Sequence, residues 1–279
     1  MDFTAQELAE AAKRWNYDDA VAVVRGCEKL LLENDVLRFP NTFMKIISES
    51  YSKAIVTEKE ILTLLYHGYP EGSMALCRVL YESMIIMRFL YKHRDDEGLL
   101  QRYSDDYAVK ISLDRVKYYN YLLEYSQSES EREEAQRLKA QARKEHNKMK
   151  SKYSEFLSYN KQGSYLHDYW WLGDVLKNKS FGAIQNEITL DNLRMLYILS
   201  CYRAHSGIVG SNIRFGTFFD EKVLNTAGSL NGFQIPLCFS LVCFGILTET
   251  MFANVNIECG DLVEKIEKII VPYENCLYR

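Results

Sequence analysis

The sequence has few residues that interrupt helices, and it lacks the common motifs of nucleotide-binding and hydrolytic enzymes. Only 4 of its 279 residues are proline, while 47% are hydrophobic, a composition typical of a mostly helical globular protein. There is no P-loop, no GxGxxG, no HExxH and no nucleophile elbow. These absences exclude most nucleotide-binding, zinc-protease and α/β-hydrolase mechanisms.

The sequence also lacks metal-binding spacings, strong net charge and a long apolar run. Its seven cysteines form no CxxC or Cys/His cluster, so we expect reduced core thiols, no metal site and no cofactor. The net charge of -4 argues against an overall basic surface for nucleic acid, but leaves room for a local basic groove. The N-terminus has no signal-peptide pattern, and Ser240 and Glu249 interrupt the apolar run 237–252. We therefore predict a core helix there, no membrane contact and a cytoplasmic location.

The hydrophobic periodicity and the capping patterns predict an all-α fold, a multi-helix bundle with a protruding charged helical hairpin. The sequence suggests an N-terminal helical segment over 1–56 and a main bundle over 57–279, or one continuous domain. The predicted helices cover 4–15, 18–33, 41–55, 57–66, 72–93, 95–125, 128–152, 190–206, 235–252 and 261–270.

Two of these segments carry a pattern that has both a structural and a functional interpretation. Residues 128–152 are acidic first and basic later, which suits the helix dipole of a solvated helix, whereas its basic residues could instead contact phosphate. Helix 95–125 is rich in tyrosine. Its tyrosines either fill a core or stack on nucleic-acid bases.

The predicted helix 72–93 is apolar on nearly every side, yet it contains Arg78 and Glu82. Their i, i+4 spacing places both on one face, and charges are almost never buried without partners. Further polar residues on apolar helices could complete a site with this pair. They are Arg102 and Asp106 on helix 95–125, and Ser200, Arg203 and His205 on helix 190–206.

Three short motifs carry a resemblance to a known family: RVLYE at 78–82, the Trp170–Trp171 pair, and YILSCYRAH at 197–205. Over residues 55–215 the chain resembles a family of uncharacterised helical proteins, mainly bacterial. It is similar, more distantly, to the HEPN helical domains. That resemblance implies ribonuclease chemistry without metal, in which an Arg is followed after four to six residues by a His.

Arg88 and His93 have the HEPN spacing and form a second candidate pair. In such chemistry a histidine transfers the proton of a ribose 2′-hydroxyl or of the leaving oxygen, and an arginine offsets the phosphate charge. Each candidate also has a structural interpretation. Arg88 and His93 would be cations at a helix C-terminus, Arg78 and Glu82 a buried ion pair, and His205 a core histidine that bonds a neighbour.

The sequence thus predicts a centre in which His205 is the acid–base group, Arg78 and Arg203 bind an anion such as phosphate, and Glu82 orients one of them. The first functional hypothesis is a metal-independent nuclease or toxin-type effector, in a defence setting, as the HEPN likeness implies. The second is a non-catalytic binding or scaffolding module, and the third is a ligand-sensing pocket. RNA, a second copy of the chain and another protein are the candidate partners.

Overall fold

The computed structural model describes residues 4–34, 41–158, 166–204 and 232–273, and within these ranges it contains α-helices and no strand. The predicted all-α class is confirmed. Short 3₁₀ helices occur at Trp170–Leu172 and Val271–Tyr273. The α-helices are α1 (Ala5–Arg14), α2 (Tyr17–Glu33), α3 (Thr42–Tyr66), α4 (Pro70–Lys92), α5 (Glu97–Tyr125), α6 (Glu129–Lys152), α7 (Phe181–Ile188), α8 (Asp191–Ala204), α9 (Gln234–Ala253) and α10 (Gly260–Ile270).

The contacts within the chain divide it into two compact units. The first contains Met1–Lys92 together with Gln185–Arg279, and the second contains His93–Ile184. The first unit is therefore built from two separate stretches of the chain. Helix α3 runs unbroken across residue 56, where the sequence suggested the end of an N-terminal segment.

Helix α4 is central to the first unit, where it packs against α3, α8 and α9. Large apolar residues on several sides of α4 are fully buried, as expected for a helix without a broad polar face. They include Met74, Leu80, Met84, Ile85 and Phe89. Gly68, which adopts a left-handed backbone conformation with a φ of 82°, ends α3 and allows the turn before Pro70.

Helix α9 is the one helix in the described ranges that is long and apolar enough to cross a membrane, and 78% of its apolar window is buried inside the protein. Its buried residues include Phe239, Phe244 and Phe252. Tyr51 on α3 stacks on Phe244, with ring centroids 5.8 Å apart. The sequence-based expectation of a core helix in this region is confirmed.

The prediction of two helices over 41–55 and 57–66 is wrong, because α3 is continuous from Thr42 to Tyr66. Thr57 and Glu60 have the spacing of a capping box, but the chain does not turn at Thr57. Thr57 and Glu58 are buried, so these two polar residues lie against the interior of the unit. A pattern that resembled a helix start belongs instead to the middle of a buried helix.

Glu58 is a fully buried carboxylic acid that the sequence did not mark as unusual. Its Oε1 accepts a hydrogen bond from Ser240 Oγ on α9 at 2.9 Å, while its Oε2 has no partner within the described residues. Burial raises the pKa of Glu58 to about 8, and the Ser240 hydrogen bond offsets part of that rise. At neutral pH the carboxyl group is therefore mostly protonated.

In the second unit, α5 and α6 form an antiparallel helical hairpin. Ser112 on α5 and His146 on α6 form a hydrogen bond of 3.1 Å, and Lys152 donates to Asp105 at 2.6 Å. Helix α6 begins with a capping box formed by Ser128 and Glu131. The predicted charged helix over 128–152 is confirmed. His146 lies half-buried against α5.

Replacing Glu58 with glutamine should remove a pH dependence of stability. The carboxyl pKa is about 8 in the folded chain, against an ordinary value of 4.5. Between these values only the unfolded chain loses the proton, so the free energy of unfolding of the wild type falls as pH rises, by about 5 kcal/mol in total. Glu58→Gln should lack this fall, which urea unfolding from pH 5 to 9 would measure.

A matched control is Glu60→Gln, which changes an exposed carboxyl group on the same helix. The control should keep the pH dependence of the wild type. Equal pH slopes for the wild type and Glu58→Gln would contradict the assignment of a protonated Glu58.

Candidate functional site

The first predicted pair forms as expected on α4. Arg78 Nε donates to Glu82 Oε1 at 2.7 Å, and the two side chains are 26% and 31% exposed. The pair is therefore half-buried rather than sealed in the core. The hydrogen bond to Glu82 is the main reason why the pKa of Arg78 is raised, so its guanidinium group stays charged.

Helix α8 supplies a third member of this site. The Tyr197 hydroxyl donates to Glu82 Oε1 at 3.0 Å, so one carboxylate oxygen accepts from both Arg78 and Tyr197. Burial and the Glu82 charge raise the pKa of Tyr197, with a further contribution from Cys201 one helical turn later. The hydroxyl is thus held protonated as a donor. We call Arg78, Glu82 and Tyr197 the Arg–Glu–Tyr cluster.

A stacking contact with Tyr81 positions the ring of Tyr197. Its ring stacks on that of Tyr81, with centroids 4.8 Å apart, and Tyr81 is buried against Phe239 of α9. The Tyr81 hydroxyl accepts a hydrogen bond from Gln185 Nε2 at 2.9 Å. The cluster therefore rests on the buried core of the first unit.

The other predicted residues of helix α8 are only partly described. Ser200 is buried, and its hydroxyl donates to the carbonyl of Tyr197 in its own helix at 2.6 Å. Arg203 belongs to the last turn of α8, but its side chain lies outside the described part of the structure. His205 lies outside the described residues. The acid–base role of His205 and the anion-binding role of Arg203 remain predictions.

The second candidate pair lies at the end of α4. Arg88 is half-buried within that helix, and His93 follows its last residue, Lys92. The boundary between the two units falls between Lys92 and His93. Lys92 itself donates to Glu187 of the first unit at 2.5 Å.

Asp106 belongs to the second unit, where it binds the first tryptophan of the Trp170–Trp171 pair. Its Oδ1 accepts from Trp170 Nε1 at 2.7 Å, and its Oδ2 accepts from Lys110 Nζ at 2.7 Å. Burial raises the pKa of Asp106, although the contacts with Lys110 and Trp170 oppose that rise. Asp106 thus attaches the indole of Trp170 to α5.

Arg102 of α5 binds the backbone of the second tryptophan, Trp171. Its Nε donates to the Trp171 carbonyl at 2.9 Å, and its guanidinium lies 4.5 Å from the centroid of the Phe156 ring. Gly173 has a φ of 56°, and a Cβ at this position would lie only 2.8 Å from Arg102 Nη2. A glycine therefore allows Arg102 to pack closely against this segment. Arg102 and Asp106 therefore hold the tryptophan segment within the second unit.

The tyrosines of α5 are of two kinds. Tyr103 packs edge-on against Trp171, with centroids 4.9 Å apart, as the core interpretation predicts. Tyr107, Tyr118, Tyr121 and Tyr125 are 56% to 75% exposed, so the core interpretation is wrong for these four.

The sequence did not identify Tyr197 or Gln185 as site residues. Tyr197 has apolar neighbours in its own helix, and its carboxylate partner lies 115 positions away in the chain. Its contact with Glu82 arises from the packing of α8 on α4, for which the local sequence carries no signal. Within the described ranges, no three His, Cys, Asp or Glu residues come together as a metal-binding group.

Taken together, these features define an all-helical protein of two compact units, with a half-buried arginine–glutamate–tyrosine cluster on the first. The chain belongs to a family of unknown function, DUF5677, whose model matches residues 44–222. The match includes both helices that form the cluster and confirms the expected likeness to an uncharacterised family. Comparison with curated proteins and with solved structures gave no match.

Removing Glu82 should cost more stability than removing Arg78. The Arg78→Ala change breaks one partly exposed ion pair and should lower the free energy of unfolding by at most about 1 kcal/mol. The Glu82→Ala change also removes the acceptor of Tyr197 and should cost about 2 kcal/mol. Urea unfolding at pH 7 measures both. An exposed pair on α10 provides the control, since Lys268→Ala should change stability little. Equal losses for the Arg78 and Glu82 variants would contradict the shared-acceptor geometry.

Removing the carboxyl group of Asp106 should destabilise the protein through Trp170. The indole N–H of this fully buried residue would lose its acceptor in Asp106→Ala, at a cost of about 1–3 kcal/mol. Asp106→Asn keeps an acceptor oxygen and should cost less. Denaturation followed by tryptophan fluorescence measures the effect. The control is Asp114→Ala, at an exposed residue of the same helix, and an equal loss there would refute the role of Asp106.

Proposed function

We propose that the protein is a HEPN-like, metal-independent ribonuclease, acting as a toxin-type effector in the bacterial cytoplasm, in a defence system. The Arg–Glu–Tyr cluster, together with Arg203 and His205, would form its centre. The observation that carries the proposal is the accessibility of Arg78. This cation reaches solvent beside α8, the helix that leads to the two predicted residues.

The proposed chemistry needs a proton acceptor and a cation next to one phosphate of RNA. His205 takes the proton of the ribose 2′-hydroxyl, whose oxygen attacks the phosphorus and displaces the 5′-oxygen of the next nucleotide. The leaving 5′-oxygen takes a proton from solvent, His205 releases its proton to solvent, and a 2′,3′-cyclic phosphate remains. Arg78 and Arg203 offset the charge that develops on the phosphate. Glu82 orients Arg78 through the hydrogen bond on Nε.

The charge balance of the cluster favours a second candidate function, a non-catalytic binding or scaffolding module. Glu82 already offsets the charge of Arg78 and accepts a hydrogen bond from Tyr197. Such a closed set of contacts is what a structural cluster between two helices requires. In that case its role is to join α4 to α8.

The two functions predict different results for His205→Ala. For a ribonuclease, the change should lower the rate of RNA cleavage by roughly 10²- to 10⁴-fold and leave the melting temperature close to that of the wild type. Cleavage of a labelled RNA in the presence of a chelator, together with growth of cells that express each variant, measures the effect.

The control is His67→Ala, because His67 is an exposed residue at the end of α3. It should leave cleavage and growth unchanged. Arg88→Ala and His93→Ala test the second candidate pair in the same assay. If the wild type leaves RNA intact and does not affect growth, the ribonuclease proposal fails and the scaffolding function is favoured.

A further inference from the structure

Helix α6 presents a face on which acidic and basic residues are separated along the helix. One side of α6 packs on α5 through Ala135 and Ala142. The opposite side carries exposed residues at helical spacing, which we call the outer stripe. From the start of the helix to its end, the outer stripe is Glu129, Glu133, Gln136, Ala140, Lys144 and Lys148.

Each end of the outer stripe carries charges of one sign only. Glu129 and Glu133 are four residues apart, as are Lys144 and Lys148, and like charges at this spacing repel each other. The helix dipole favours acidic residues in the first turn and basic residues in the last. Glu133, Lys144 and Lys148 lie beyond those turns of Glu129–Lys152. The dipole therefore accounts for Glu129 but not for Glu133, Lys144 and Lys148.

The same arrangement is complementary to itself when two copies of α6 lie antiparallel. With a two-fold axis between Leu138 and Lys139, Glu129 faces Lys148 of the second copy and Glu133 faces Lys144.

We propose that the outer stripe of α6 is a self-association surface, on which a second copy of this chain docks antiparallel about that two-fold axis. A two-fold axis is the commonest symmetry of protein dimers and uses one patch twice. Ala140 lies near the axis, where its small side chain allows the two helices to approach closely. The inference does not depend on the proposed ribonuclease function, because it uses no residue of the Arg–Glu–Tyr cluster.

The length of α6 and the exposure of its charged residues limit the strength of the dimer. A helix of 24 residues is about 36 Å long, so a single pair of helices buries less area than a typical stable interface. Exposed ion pairs contribute little individually and are screened by salt. The dimer should therefore be weak, form at low ionic strength and dissociate as salt is added.

The test reverses the charges of each end of the outer stripe in the full chain. Glu129→Lys/Glu133→Lys makes both ends basic, and Lys144→Glu/Lys148→Glu makes both ends acidic. Each variant alone should be a monomer in sedimentation velocity at low salt, where the wild type sediments as a dimer. An equimolar mixture of the two variants should restore the dimer as a one-to-one heterodimer. A chain with all four changes should again dimerise with itself.

The control is Glu264→Lys/Glu267→Lys, which makes the same change in net charge at exposed residues of α10 and should leave the dimer intact. A monomeric wild type at low salt would overturn the proposal. It would also be overturned if the reversed variants dimerise as the wild type does, or if their mixture stays monomeric. If the basic residues of α6 bind RNA rather than a second copy of the chain, the wild type should be a monomer at low salt. Its affinity for RNA should then increase in Glu129→Lys/Glu133→Lys, which also overturns the proposal.

Discussion

The first unit depends on the burial of α4 and α9, two helices whose apolar residues surround most of the helix axis. Burying such helices also buries the polar groups of their neighbours, and each of these needs a partner. Glu58 and Tyr51 of α3 meet Ser240 and Thr248 of α9. These two contacts fix the antiparallel register of α3 against α9. The protonated state of Glu58 follows from the same burial, because an ionised carboxylate would need a cation beside it.

The polar groups at the edge of this core are arranged differently from those inside it. Arg78 and Glu82 keep part of their surface in water, so their charges are retained rather than neutralised. Tyr197 connects this ion pair to α8 and joins two segments that are far apart in the sequence. In the second unit, Asp106 and Arg102 instead hold buried aromatic groups in place. Similar i, i+4 polar residues therefore serve different purposes on α4 and α5.

Local signals in the sequence were sufficient for most helix boundaries. The Thr4 and Glu7 capping box opens α1, and the side chain of Asp96 caps α5. The same type of signal failed at Thr57, because a capping motif describes only the residues nearby and carries no information about burial. The spacing of Arg78 and Glu82 was sufficient to predict their contact. Tyr197 could not be predicted, because its role comes from the packing of α8 on α4.

The sequence by itself determined the all-helical class, the length of the charged helix α6 and the contact within the Arg78–Glu82 pair, since each depends on residues within a few helical turns. Only the tertiary structure decided that Glu58 is buried and protonated, that Tyr197 completes the cluster, and that Asp106 and Arg102 bind the tryptophan pair. These features arise where distant segments pack together. The solvation of each polar group is then set by neighbours that its local sequence does not specify.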